Sequence, residues 1–360
     1  MTLASQNWAH QRAAETFEEP VSPHNLRAPY LIYFGDVQDF GHAKTGLGLI
    51  QWRRELCAGQ MRAAGCRVDG GIREMCIDDA VESGVKSLVI GVAPAGGSIS
   101  APWIADLAAA ARAGLDIVSG MLARLADFPE FAAAARQSGA QLVDVRTPPK
   151  NIPIATGAKR MGKRLLTVGA DCAVGKKYTA LAIEREMRAR GWSADFRATG
   201  QTGIMIAGSG IAIDSVVADF LSGAAEILSP SAPAEHWDVI EGQGSLTHPS
   251  FAGVSLGLLH GSQPDALVLC HDPSRDYHLG MEGAHGFPIA PLTEIIDMNL
   301  VLARRVNPKA RFVGLSLNTS RLSEEERARL YDKYAAETGL PVVDPILDGV
   351  SAIIDQLTAE

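Results

Sequence analysis

The sequence has no apolar run that reaches the ~18 residues of a membrane span, which argues against a helical membrane protein. Its five cysteines, at 57, 66, 76, 172 and 270, are odd in number and include no Cys-x-x-Cys pair. In a chain this long, that argues against a disulfide framework. A net charge of -8, with no dense basic cluster, argues against a nucleic-acid surface. The stretch Arg160 to Arg164, which holds three of the few close-set cations, precedes a strand and reads as linker. Gly-x-Gly-x-x-Gly, the fingerprint of dinucleotide sites, is missing. So is any His-x-x-x-His or comparable pair, and no metal is expected. There is no internal repeat and no low-complexity tract. The polar segment Met1 to Arg27, with Glu15, Glu18 and Glu19, resembles neither a signal peptide nor an Arg-rich transit peptide. The expected location is the cytoplasm, and residues 1–28 read as a loosely held extension.

What is present is alternation. A chain of 360 residues with 47% apolar content suggests two domains with sizeable cores. In the first half, strands are predicted at Tyr30 to Phe34, Cys66 to Asp69, Ser87 to Val92, Asp116 to Ser119 and Gln141 to Val145. Helices fall between them at His42 to Cys57, Glu74 to Ser83, Pro102 to Ala113 and Met121 to Ser138. The uninterrupted apolar run from Ser87 is the mark of a parallel strand covered on both faces. Residues 29–146 therefore read as a Rossmann-like, doubly wound α/β domain. The Pro-rich stretch that follows marks a linker at 147–163. Residues 164–360 alternate again. Strands are predicted at Arg164 to Val168, Ala194 to Ala198, Trp237 to Glu241, Asp265 to Cys270, Arg311 to Leu317 and Val342 to Val343. Helices are predicted at Ala180 to Arg190, Ser215 to Leu228, Thr293 to Arg305, Ser323 to Thr338 and Val350 to Leu357. The expected fold class is α/β: a Rossmann-like domain followed by a P-loop NTPase-like α/β domain.

The second domain opens on the most informative segment. Gly169, Ala170, Asp171, Cys172, Ala173, Val174, Gly175, Lys176, Lys177, Tyr178 and Thr179 lie between a short apolar strand and a helix. Strand, glycine loop and helix is the context in which loop amides and a helix N-terminus face an anion. Nucleotide hydrolases follow the loop lysine with Ser or Thr, whose hydroxyl ligates Mg²⁺. Lys177 stands there instead, so the loop is expected to hold phosphates without metal-assisted phosphoryl transfer. Spacing and Asp171 resemble the loop of dethiobiotin synthetases, which keep Thr after the lysine.

In open α/β sheets ligands sit past the carboxyl ends of the strands. That rule selects Asp171 and Cys172, then Thr199 to Gly203, Glu241 to Ser245, and His271 with Asp272. Glu241 ends a strand and is the first candidate for a general base. His271 and His248 are the alternatives, drawn from a cluster that also includes His236, His260, His278 and His285. Thr199, Gln201, Thr202 and Gln243 offer groups that orient a substrate, and backbone amides near Gly200 to Gly203 or Gly242 to Gly244 suit an oxyanion. Arg197 and Arg275 are candidates for pairing with substrate carboxylates. In the first half, Gly35 with Asp36 and the loop Gly91 to Gly97 read as scaffold or one wall of a cleft.

Taken together these motifs resemble a known family. They are Leu165 to Lys176 with Tyr178 to Leu181; Asp195 to Gly203; and Trp237 to Ser245 followed by His248 to Gly261. They are similar to the DUF1611 family, whose characterised members are D-glutamate N-acetyltransferases, over roughly residues 29–358. The resemblance implies transfer of the acetyl group of acetyl-CoA to the amine of D-glutamate, within D-amino-acid catabolism. It implies acetyl-CoA as co-substrate, D-glutamate as the small-molecule partner and a homo-oligomer. Lys177 departs from the family, where an apolar residue such as Met is expected, and 274–291 looks divergent. The rival readings are an ATP-dependent kinase or ligase like dethiobiotin synthetase, and a nucleotide- or CoA-binding protein without catalysis.

Overall fold

The computed structural model describes residues 24–93, 97, 99–281 and 286–358. Most of the N-terminal extension, Pro94 to Gly96 of the first glycine loop, and His285 lie outside the described residues. The chain divides into two units, Pro23–Pro148 with Gly200–Ser215, and Pro149–Thr199 with the remainder from Val216.

In the first unit, apolar runs four to six residues long are buried along their whole length. They are β1 (Tyr30–Gly35), β3 (Ser87–Ile90) and β4 (Asp116–Ser119). With β2 (Cys57–Arg62) and β5 (Leu142–Asp144) they form a sheet of order β2-β1-β3-β4-β5. Every pairing is parallel, and the order reverses between β1 and β3, which makes the sheet doubly wound. The expected α/β class is borne out.

Local departures from the predicted elements have physical causes. The expected strand at Cys66 to Asp69 is irregular, and the edge strand is Cys57–Arg62. Its signal is weak because the segment 73–75 lies against it: Gln60 N–H donates to Arg73 O at 2.8 Å and Met75 N–H to Gln60 O at 2.9 Å. A Cβ at Gly59 would stand 2.3 Å from Met75 Sδ, so an apolar side chain has no room there. The helix expected from Met121 is confined to Pro129–Ser138. Phe128 is extended and Pro129 occupies the first turn, where its missing N–H costs nothing. Gln201–Ala207, for which the sequence predicts no helix, is a short helix closed by Gly208 at φ 77°.

The second unit carries β6 (Lys163–Gly169), β7 (Ala194–Arg197), β8 (Trp237–Ile240), β9 (Ala266–His271), β10 (Arg311–Leu317) and β11 (Val342–Val343). All pair in parallel, in the order β11-β10-β9-β6-β8-β7. The helix Lys176–Ala189 buries Lys176, Thr179, Ala180, Ile183 and Met187, a stripe at helical spacing that lies on the sheet. Arg164, at the start of β6, is fully buried. Its guanidinium donates to Ser229 Oγ and to the carbonyls of Arg160, Met161, Gly162, Ser229 and Pro230. That network ties the end of the linker to the first strand and satisfies a charge that would be costly to bury alone. Strand order in this sheet reverses between β6 and β9. The crevice at their carboxyl ends is where the topology places a ligand.

Candidate active site

β6 ends at Gly169 and the next helix begins at Lys176, so the loop spans only the residues between them. Ala173 at φ 53° and Gly175 at φ 102° bend it back on itself. Such left-handed turns gather successive N–H groups into an anion-binding concavity. A Cβ at Gly169 would lie 2.6 Å from Lys176 Nζ, and glycine leaves room for the ammonium. Lys176 Nζ donates to Asp171 O at 2.7 Å and to Gly244 O at 2.8 Å. It thereby joins the phosphate loop to the Gly242–Ser245 loop. Burial lowers its pKa from the usual lysine range, while Cys172, Cys270, Asp171 and Glu241 work in the opposite direction.

Lys177 and Thr179, which follow this lysine in the first turn of the helix, are otherwise engaged. Lys177 Nζ lies 4.6 Å from the centroid of the Tyr178 ring, a cation–π contact. Thr179 is fully buried, its hydroxyl 2.7 Å from Ser316 Oγ and 3.2 Å from Gly175 O. Neither side chain presents a hydroxyl to the mouth of the loop.

Asp171 is fully buried and turned toward the chain that follows β9. Its carboxylate accepts from Arg275 at 3.0 Å, from His278 Nδ1 at 3.1 Å and from the Leu279 N–H at 2.9 Å. Burial alone would raise its pKa. The N–H groups of Cys172 and Leu279, with His278 and Arg275, outweigh that and hold it below the usual carboxylate range. Arg275 also donates to Cys172 O at 2.8 Å and Ala173 O at 3.3 Å, and pairs with Asp272 at 3.3 Å. The segment from Asp272 to Leu279 is thus a strap across the outside of the phosphate loop. His278 was legible only as one member of a histidine cluster. Its pairing with Asp171 depends on the fold of a segment that looked divergent.

Glu241 follows β8, the strand beside β6. It is 5% exposed. Thr199 N–H donates to its Oε2 at 3.0 Å, and Thr199 Oγ1 donates to its carbonyl at 2.6 Å. Gln243 Nε2 reaches the same hydroxyl at 3.0 Å. Thr199, Glu241 and Gln243 therefore form one hydrogen-bonded group. Gly242 passes so close to β6 that an added Cβ would lie 1.6 Å from Thr167 O, and its N–H donates to Thr167 Oγ1 at 2.9 Å. A small cleft beside this group is lined by Val168, Gly169, Gln243, Ser245, Ser255 and Asn299 among others.

The histidines divide. His271 ends β9 at the crevice, buried, with no partner for its Nδ1 among the described residues. Burial pushes its imidazole down to about 4, so it is neutral at pH 7. His248 accepts the Ser250 N–H on Nδ1 at 3.1 Å, which assigns the proton to Nε2, 3.2 Å from Leu279 O. Arg197 turns back along the sheet, with Nε 2.7 Å from Asp238 Oδ1 and Nη2 3.4 Å from Asp195. Gln201 and Thr202 belong to the other unit, where Thr202 Oγ1 lies 3.0 Å from Thr45 Oγ1. Among the described residues, Asp171, Cys172 and His248 place potential metal-ligand atoms within 4.8 Å of one another. Both oxygens of Asp171 and both ring nitrogens of His248 already take part in the hydrogen bonds above.

A parallel α/β unit whose first strand runs into a glycine loop and a helix, with an acid ending the neighbouring strand, is a P-loop protein. Residues 153–354 match the domain described as the DUF1611 C-terminal P-loop domain. Residues 61–148 match the DUF1611 N-terminal Rossmann-like domain. The chain belongs to the DUF1611 family. It is 46% identical over 334 residues, 93% of this chain and 99% of the other, to a D-glutamate N-acetyltransferase of Tritonibacter scottomollicae. A D-glutamate N-acetyltransferase of a Pseudoalteromonas species is 46% identical over 332 residues, 92% of this chain and 99% of its own. The crystal structure of a DUF1611 family protein from Anabaena variabilis superposes with a TM-score of 0.82 at 34% identity, covering 92% of this chain and 99% of that one.

Proposed function

We propose that this protein is an N-acetyltransferase that moves the acetyl group of acetyl-CoA to the amine of D-glutamate, giving N-acetyl-D-glutamate and CoA. The observation that carries the reading is near-full-length identity of 46% to relatives bearing that activity. The loop chemistry is consistent with it. A thioester is already activated and needs no ATP, so a phosphate loop followed by Lys177 in place of a Mg²⁺-binding hydroxyl is suited to a carrier's phosphate. Amides of the Gly169–Gly175 loop and the Lys176 ammonium hold that phosphate.

The substrate ammonium must lose a proton before its nitrogen attacks the thioester carbonyl. Glu241 is the proposed base, its carboxylate oriented by the Thr199 N–H. The new C–N bond forms as the tetrahedral oxyanion appears, and the N–H groups of Gln243 and Gly244 are the proposed donors to it, that of Gly242 being held by Thr167. Collapse breaks the C–S bond, the nitrogen gives up its second proton and the departing thiolate takes up one, so each turnover releases a single net proton, the one first removed by Glu241. Thr199 and Gln243 position the amine side of the site. Arg275 is assigned to bracing the loop, because its donors are spent on Asp171, Cys172 and Ala173. No metal takes part in this scheme. The test is an acetyl-CoA assay over D- and L-amino acids with EDTA present. Release of CoA with D-glutamate supports the reading, and no release with any amine overturns it.

A further inference from the structure

Large apolar side chains stand exposed on the segments around the phosphate loop. Phe251 is 45% exposed, Tyr277 44%, Leu279 43% and Phe287 48%. Short contacts connect them to the loop. The Phe251 ring lies 4.5 Å from the His248 ring, which is 5.1 Å from that of His278. His278 Nδ1 meets Asp171 of the loop, and the backbone N–H of His278 donates to Phe287 O at 2.9 Å. Leu279 N–H donates to Asp171, and Tyr277 bridges to Pro288. Solvated surfaces scatter their exposed apolar residues singly, and four of them on segments tied to one loop by these contacts are more than that scatter.

We infer that Phe251, Tyr277, Leu279 and Phe287 form the subsite for the adenine ring of the acyl-CoA, an inference that rests on the acetyl-CoA reading above. The choice of occupant follows from the connectivity of CoA. Its phosphates are the 3′-phosphate on the ribose and the 5′-diphosphate that leads to pantetheine. Whichever of these the loop holds, the adenine lies one ribose away. The pantetheine arm starts beside the loop only if the diphosphate is the group held. A flat, uncharged base next to a gripped phosphate is what exposed aromatic rings bind by stacking, with no side-chain charge required. The neighbouring cation, Arg275, is committed to the loop.

Calorimetric binding of CoA, adenosine 3′,5′-bisphosphate, 4′-phosphopantetheine and inorganic pyrophosphate to the wild-type protein and to Phe251→Ala, Phe287→Ala and Phe287→Tyr tests this. Half-exposed side chains can be truncated with little risk to folding. Each alanine variant should bind CoA and the bisphosphate about tenfold more weakly, with pyrophosphate and phosphopantetheine unchanged, and Phe287→Tyr should keep wild-type affinity. An equal loss for pyrophosphate would overturn the subsite, because the effect would then reach ligands through the loop. Unchanged CoA affinity with an altered sedimentation coefficient would also overturn it, and would give the patch to a second copy of the chain. A wild-type protein that binds no CoA would overturn the acetyl-CoA reading and the subsite together, whereas CoA binding insensitive to both phenylalanines would overturn the subsite alone.

Discussion

Lys176 carries two duties that a surface lysine could not. Its buried ammonium is held by two carbonyls, Asp171 O and Gly244 O, which pre-position it at the loop. A charge-assisted bond of this kind contributes about 1.5–3 kcal/mol, so Lys176→Ala should raise the KM for acetyl-CoA by about tenfold or more and that for D-glutamate far less. Steady-state kinetics with each substrate varied in turn checks it, and equal effects on both would mean that the loop does not serve the acyl carrier. Glu241→Gln keeps the shape and the bond from Thr199 but removes the proposed base. The expected loss is in kcat, by about 10²–10⁴-fold, with the acetyl-CoA KM near wild type. His271 makes a prediction about stability. Its folded pKa of about 4 lies below the ordinary 6.5, so between these values the unfolded chain binds more protons than the folded one. Stability is therefore full above pH 6.5 and falls as the pH drops toward 4, with about 3 kcal/mol at stake from this residue. Urea unfolding at pH 7 and pH 4.5 should show His271→Gln losing less stability across the interval than the wild type.

At the scale of elements, glycines and the strap decide how closely β6 and β8 bring their loops together. Gly242→Ala would drive a Cβ into Thr167 O at 1.6 Å, and the expected result is a large drop in Tm or insoluble protein. Gly253→Ala meets open space inside the helix Ala252–Ser262 and should raise Tm slightly, because alanine gains helix propensity there. The strap makes a further prediction. Arg275→Ala removes the donors that hold Asp171 and the carbonyls of Cys172 and Ala173, so the loop loses its outer brace. KM for acetyl-CoA should rise with kcat little changed, whereas a rise confined to the D-glutamate KM would return Arg275 to the substrate. The elements themselves differed in legibility. Asp116–Ser119 and Arg311–Leu317 were readable to the residue because buried strands bounded by turn residues leave a clear pattern. Cys57–Arg62 was not, because an edge strand pressed by the 73–75 segment carries Gly59 and Gln60 where a pattern needs apolar side chains. Pro129 did carry a signal against the long helix from Met121. The strap was opaque, since what ties it to the loop is a set of contacts to Asp171 about a hundred residues earlier in the chain.

For the whole molecule, the alternation of strands and helices was enough to define two α/β sheets, and the loop motif was enough to point to a candidate site at the carboxyl end of β6. The residue partners around that loop needed the fold, because hydrogen bonds such as Thr199 to Glu241 or Arg275 to Asp171 leave no trace in spacing. One result of the chain's division was also hidden. The crossover after β7 contributes Gly200–Ser215 to the first unit, so Gln201 and Thr202 lie in a different unit from Thr199, although they adjoin it in sequence. The central claim is that the phosphate loop serves an acyl carrier and no phosphoryl group is transferred. The most direct measurement is release of CoA thiol from acetyl-CoA with D-glutamate, in EDTA and without ATP, alongside ATP hydrolysis with Mg²⁺. The expected result is CoA release matched mole for mole by N-acetyl-D-glutamate, with no ATP turnover. ATP turnover dependent on Mg²⁺, with no CoA released by any amine, would contradict it.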